Sequence, residues 1–342
     1  MKTLKSILIF GGLGLVLLVV LGITFTIGWR PFIGPRVRPL TDRKFEPTAA
    51  RLERGRYLVN SVVGCLDCHS DHDTTLEGAP AKPGREGAGT KFLSDPGLGD
   101  VYAPNITPDK ETGIGNWTDD QIARAIREGI GSGNRALFPI MPYLNFRHLS
   151  DEDLASVVVY IRSIPPIRNA VQKSNINFPV NRLIYSVPEP LTGPVLDPDM
   201  STPVARGEHL VRIASCSDCH TPQDDKGQYM ENLKFAGGFV LDGFSEKKKV
   251  ASANITSDPT GIPYYDEATF IKAIRTGQIG ARKLDPVMPW GLYRNMTDDD
   301  LNAVFAYIHT LPPIKHALDN SVTPTMCPLC GQIHGLGEKN HK

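Results

Sequence analysis

The chain offers no surplus of charge of either sign: 37 basic side chains balance 37 acidic ones among 342 residues. A nucleic-acid binder needs a basic face to neutralise phosphates, so composition points to no nucleic-acid partner. Cysteine is scarce too. The six cysteines fall into three Cys-x-x-Cys pairs, which leaves nothing for a disulfide framework outside those pairs. The third pair, Cys327 and Cys330 in CPLCGQIH, lacks the histidine that follows the other two; Gly331 stands in its place. The apolar N-terminal run lacks a charge across residues 7–29, and no Ala-x-Ala exit site follows it.

What is present starts with CLDCH at 65–69 and CSDCH at 216–220. Cys-x-x-Cys-His is the attachment signature of a c-type haem. Each thiol adds to one vinyl group on the same porphyrin edge. The two-residue spacing lets one backbone turn bring both sulfurs there, and the next residue becomes the proximal iron ligand. Cys65, Cys68 and His69 are therefore expected to hold one haem c, and Cys216, Cys219 and His220 a second. The bland alternative is a disulfide or half a zinc site with a chance histidine, which two copies in matching contexts disfavour. CPLCG does not read as a third haem site, because His334 lies too far along to be placed by the same turn. Three readings of the tail stay open: a disulfide or free thiols, zinc held by Cys327, Cys330, His334 and His341, or the remnant of a haem site.

The uncharged N-terminal run is long enough to span a bilayer as a helix. Its length and the missing exit site favour an uncleaved anchor over a removed signal peptide, and Trp29 suits the membrane interface. Orientation carries a conflict. Lys2 and Lys5 precede the span, whereas Arg30, Arg36, Arg38, Arg43 and Lys44 follow it. A count of positive charges puts the C-terminal side inside. Covalent haem attachment takes place outside the bacterial cytoplasm, and that requirement outweighs the count. The expectation is a single-pass protein of the bacterial inner membrane with its haem domains in the periplasm.

The chain is also duplicated. RGRYLVNSVVGCLDCHS (54–70) matches RGEHLVRIASCSDCHT (206–221), and APNITPDKETGI (103–114) matches SANITSDPTGI (252–262). LSDEDLASVVVYIRSIPPI (149–167) matches MTDDDLNAVFAYIHTLPPI (296–314). Helices are expected over 50–62 and 202–214, after Thr118, and after the cap-like Ser150 and Thr297, the last pair stopped by Pro165-Pro166 and Pro312-Pro313. Leu154, Val157, Val158 and Ile161 should share one buried face. The fold class is mainly α: an anchor over 1–30, a cytochrome c domain over 46–170, an extended linker over 171–203, a second cytochrome c domain over 204–318 and a tail over 319–342.

Met141-Pro142 and Met288-Pro289 occupy one repeat position, each in a loop between the last two helices of its unit. A thioether there can supply the sixth iron ligand. A core gap-filling methionine is the plain alternative, and His148 and Met296 are rivals. His/Met ligation raises the potential relative to His/His, and filling both axial sites favours electron transfer over peroxide or oxygen chemistry. The competing class is a dihaem enzyme, a peroxidase or an oxidase of a small inorganic substrate, with one open iron position. A haem subunit of a larger respiratory complex is a third.

These motifs (RGRYLV before CLDCH, the stretch from Asn105 to Trp117, the MPY loop and LSDEDLASVVVYIRSIPPI) resemble the cytochrome c subunit of membrane-bound alcohol, gluconate and related dehydrogenases. The resemblance covers about residues 50–168 and 204–315. It implies class I-like haem domains passing electrons from a dehydrogenase toward the respiratory chain, through an oxidase, a soluble cytochrome or another redox partner. It also implies Cys65, Cys68, His69 and Met141 for one haem and Cys216, Cys219, His220 and Met288 for the other. The family typically has three haem domains and no CPLCG tail. Two weaker features remain. Lys247-Lys248-Lys249 reads as a solvated loop or a docking patch, and Asn105-Ile-Thr and Asn254-Ile-Thr as loops near each haem that donate to propionates.

Overall fold

A computed structural model of the chain describes residues 2–224, 227–244, 249–280 and 282–319, with short stretches at 325–326, 333–334 and 337–338. The tail residues Cys327, Cys330 and His341, and the side chain of His334, lie outside what is described.

Helix α1 runs Lys2–Phe25, and its Leu8–Phe25 portion has a mean hydropathy of 2.6 with no residue buried against the protein. By length and composition it can cross a membrane. A turn leads to α2 (Arg30–Ile33). From there an extended strap runs to Thr48 across the first helical unit. Arg38 clamps this strap: its guanidinium donates to both oxygens of Asp120 at 2.7 and 2.8 Å and to Glu128 at 2.7 Å. The Asp120 and Glu128 side chains are 0% and 3% exposed, so the ion pairs are shielded from water. Backbone N–H groups of Thr41 and Phe45 add bonds to Asp120 and Asp119.

The first unit contains α3 (Ala49–Tyr57), α4 (Cys65–Cys68), a hairpin of β1 (Thr90–Asp95) and β2 (Gly99–Ala103), α5 (Asp119–Glu128), α6 (Tyr143–Phe146) and α7 (Asp151–Ser163). A π-helical turn, Leu58–Val62, continues α3 toward the first cysteine pair. The connection between units is more structured than a plain linker. Its strand β3 (Asn175–Ile176) pairs antiparallel with β2, and a short helix α8 (Val180–Leu183) follows. The sequence reading missed this because a two-residue edge strand has no periodicity to detect. The second unit repeats the order: α9 (Pro203–Ile213), α10 (Cys216–His220), β4 (Val240–Asp242) paired with β5 (Lys249–Ala251), α11 (Glu267–Thr276), α12 (Trp290–Tyr293) and α13 (Asp298–Ile308).

The caps expected from sequence are present. Thr118 and Gln121 form a full capping box on α5. Ser150 and Thr297 accept from the N–H groups of Asp153 and Asp300. These two aspartates do not reach back to close a box. Asp153 accepts a bidentate pair from Arg54 at 2.7 and 2.8 Å, and Asp300 accepts from Arg206 at 2.5 Å. The arginine of each RG motif thus ties the first helix of a unit to its last.

Beside each pair the two helices meet at a glycine. A Cβ on Gly55 would lie 2.0 Å from the Ser156 carbonyl oxygen, and one on Gly207 1.9 Å from that of Ala303. Leu58, Val59 and Val62 then pack with Leu154, Val157, Val158 and Ile161, all buried, as the helical face predicts. The matching residues of the second unit, Leu210, Val211, Ile213, Leu301, Val304 and Ile308, belong to the same continuous apolar cluster.

Candidate functional site

Each cysteine pair sits on one short helical turn, entered through a left-handed residue: Gly64 at φ +64° and Ser215 at φ +59°. Each turn carries both thiols, with the histidine directly after the second. Burial pushes the thiols of Cys65 and Cys216 up to about 12 and that of Cys219 up to about 11, whereas Cys68 lies exposed.

The histidines are held alike. His69 Nδ1 lies 2.7 Å from the carbonyl oxygen of Pro104, and His220 Nδ1 lies 2.7 Å from that of Ala253. A carbonyl can only accept, so Nδ1 carries the proton and Nε2 presents its lone pair. Burial lowers both imidazole pKa values, which favours the neutral ring. A neutral imidazole with its far nitrogen fixed by a carbonyl is the state that ligates iron. The residues therefore fit a haem held by thioethers and a proximal histidine, at both positions.

This geometry changes the reading of the Asn-Ile-Thr repeats. Asn105 is 2% exposed, and its amide donates to Ile167 O at 2.7 Å while its oxygen accepts from Thr107 N at 2.9 Å. Asn254 does the same with Ile314 O at 2.8 Å and Thr256 N at 2.9 Å. These side chains point into the protein and are spent there, so they are not propionate donors. Each locks the loop whose preceding carbonyl holds His69 or His220.

Met141 and Met288 are half-buried against the apolar cluster. Each precedes a proline that caps a one-turn helix, α6 or α12. Tyr143 and Trp290 anchor these helices by stacking on Gly129 and Gly277, where a Cβ would meet the ring at 2.5 and 2.2 Å. Of the rivals, Met296 is 4% exposed in the core at the position Leu149 fills in the first unit, whereas His148 is exposed.

The two attachment turns are neighbours across the contact between units. Asn145 on α6 donates to Asp218, inside the second turn, at 2.8 Å. Reciprocally, Leu292 on α12 packs on Gly64, where a Cβ would lie 2.6 Å from it. Tyr293 donates to Ala214 O at 2.8 Å, and its phenol is pushed well up by burial, then by the thiols of Cys216 and Cys219, Asp67 and Cys68. Tyr57 bonds to Asp300 across the same face. These residues carry no motif, and only knowledge of the packing reveals them. Of the lysine run, Lys247 and Lys248 lie outside the described residues, while Lys249 pairs with Asp242 at 2.6 Å. Among the described residues no cluster of three or more His, Cys, Asp or Glu is placed to hold a metal ion.

Residues 204–312 match the cytochrome c family model, so the chain carries a cytochrome c domain, and with it a haem c. The match ends before the tail, and the zinc reading gains no support. Relatives include the cytochrome c subunit of alcohol dehydrogenase (quinone) from Gluconobacter oxydans, 29% identical over 78% of this chain and 55% of that one. A subunit of nicotinate dehydrogenase from Pseudomonas putida is 29% identical over 92% of this chain but only 26% of its own length. A dihaem c-type cytochrome from Cereibacter sphaeroides is 27% identical over 74% of this chain and 83% of its own. The chain thus spans between a quarter and just over half of the first two relatives. It is similar to electron-transferring cytochrome c subunits of dehydrogenases.

Proposed function

We propose that this chain is a dihaem electron-transfer protein, anchored by α1 with two tandem cytochrome c domains on the periplasmic side. It passes single electrons from a dehydrogenase toward the respiratory chain. The observation that carries the reading is the duplicated histidine geometry, with Nδ1 held at 2.7 Å by Pro104 O in one unit and Ala253 O in the other. Haem c, when bound, supplies a one-electron iron couple. Cys65 and Cys68 would hold one haem and Cys216 and Cys219 the other, with His69 and His220 offering the Nε2 left free by their Nδ1 hydrogen bonds as iron ligands. Met141 and Met288 would supply the second protein ligand of each haem, which would leave no open position for peroxide or oxygen. The adjacency of α4 and α10 favours direct exchange between the two sites.

Haem per polypeptide by pyridine haemochrome, with the oxidised spectrum of the same sample, tests this. The expected result is two haems with a methionine–iron band in the near red. Met288→His should lower one potential and leave the other nearly unchanged, since His/His ligation lies below His/Met. Two haems with a high-spin band would move the reading to a dihaem peroxidase. No change of spectrum or potential in either Met141→His or Met288→His would remove the axial assignment.

A further inference from the structure

The segment just beyond α1 has a feature that electron transfer does not need. Trp29 is 40% exposed, and the two apolar residues of α2 face outward, Phe32 at 57% and Ile33 at 68%. The connection between units folds back onto this point: α8 and the turn after it, Ile184–Ser186, pack against α2. That segment exposes Phe178 at 80% and Leu183 at 42%. Two stretches far apart in sequence therefore place four large apolar side chains on one exposed foot.

Its cations are free of carboxylates. Arg30, Arg36 and Arg182 make no ion pair among the described residues. Arg30 and Arg36 line a groove with Ile33, Val37, Asn134 and Pro190. Arg38, by contrast, is consumed by Asp120 and Glu128. The foot cannot swing away, because that clamp holds the strap to α5. Nor can it leave the membrane surface: only residues 26–29 separate α1 from α2, a reach of at most about 17 Å.

We propose that α2 and the α8 segment form a foot lying in the headgroup layer of the bilayer that α1 crosses. Phe32, Ile33, Phe178 and Leu183 enter the acyl boundary, and Arg30, Arg36 and Arg182 meet the phosphates of anionic lipid. This rests on the anchor reading of α1. Apolar residues flanked by arginine are the composition of interfacial segments, and continuity with the span identifies the occupant. The foot also gives Arg30 and Arg36, two of the positive charges after the span, a task that does not depend on which side of the membrane they mark.

The test uses the haem-loaded full chain with Cys327→Ser and Cys330→Ser, one chain per nanodisc of phosphatidylglycerol and phosphatidylcholine. Single cysteines replace Phe178, Ile33 or, as control, Leu196, which is 80% exposed in the connection. A membrane-impermeant maleimide is expected to label positions 178 and 33 at least tenfold more slowly than 196, with all three equal in denaturant. Equal rates in the disc overturn the foot. So does protection that appears only with two chains per disc, which would make the occupant a second copy. Carbonate extraction of native membranes separates the premise: a chain released by carbonate has no anchor, and the foot falls with it. A chain retained by carbonate whose position 178 reacts like 196 keeps its anchor and loses the foot.

Discussion

Gly55→Ala and Gly207→Ala ask whether the helix crossings set the fold of both units. A Cβ at these positions would sit 2.0 and 1.9 Å from backbone oxygens of the facing helix, and 2.7 and 2.8 Å from the Cβ atoms of Tyr160 and Tyr307. Backbone cannot rotate out of the way as a side-chain tip can. To reach ordinary contact near 3.4 Å the helices must part by about 1.4 Å. Parting them strips contact from residues that are now fully buried in the shared apolar cluster, such as Val59 and Val157 or Leu210 and Leu301. Overpacking costs about 1–3 kcal/mol, and a backbone clash belongs at the upper end. Alanine returns up to about 1 kcal/mol of helix propensity. The net expectation is a loss of about 2 kcal/mol for each substitution, roughly 8 °C in the midpoint of a unit of this size. The sign is the decisive part. A glycine with open space beside it would be stabilised by alanine. Reversible unfolding of the haem-loaded protein, followed by far-ultraviolet circular dichroism and Soret absorption, reads it. Unchanged or raised midpoints in both variants would refute the close crossing.

Two further substitutions probe buried charge. Arg38→Met leaves the Asp120 and Glu128 carboxylates buried without their cation, and breaking such a pair costs about 3–5 kcal/mol; the urea midpoint measures it. Burial pushes the Asp120 carboxyl up, but Arg38 and the Thr41 N–H outweigh it and hold the group below its usual value. Its folded form therefore binds fewer protons than the unfolded chain, and its stabilisation fades as pH falls below about 4; Arg38→Met should flatten that acid limb. His209 is 8% exposed, and its Nε2 has no hydrogen-bond partner. Burial lowers its pKa; Asp153 acts upward, while Arg54, Arg212 and His148 act downward. The unfolded chain takes up this proton near pH 6.5 and the folded chain only below that. Stability should thus decline as pH drops from about 7 toward 5, and His209→Phe should reduce that slope in the pH dependence of the urea midpoint, leaving the part that His148, also held below its ordinary value by burial, contributes.

Much of the site was legible because its chemistry is local. One turn carries two thiols and a histidine, and the duplication points twice to the same loop and the same methionine position. Helix starts at Thr118, Ser150 and Thr297 were readable from side chains that cap within three residues. The partner of His69 and of His220 was not, because it is a backbone carbonyl, of Pro104 or Ala253, without a side-chain signature. The adjacent Asn-Ile-Thr repeat marked the place, but its role was assigned to the cofactor instead of to the loop. The structured connection escaped for a related reason. The β3 pairing and the α8 contact with α2 are long-range, and residues 171–203 carry no periodic pattern that requires them.

The contact between units was equally invisible, and it is where the two sites become different. Their internal frames match: the same turn, the same Nδ1 distance, the same methionine position. Equivalent residues at the contact do not match. Tyr57 bonds to Asp300, whereas His209, its counterpart, faces Asp153 with Nε2 unsatisfied. Leu292 seals the first attachment turn at Gly64, whereas its counterpart Asn145 gives a hydrogen bond to Asp218 in the second. One turn is thus covered by hydrocarbon and the other by an amide on a carboxylate. Burial and hydrogen bonding around a cofactor tune its potential as the axial ligands do. With the proposed ligand sets identical, these contacts, which each unit supplies to the other, are one source of a difference in potential between the two sites.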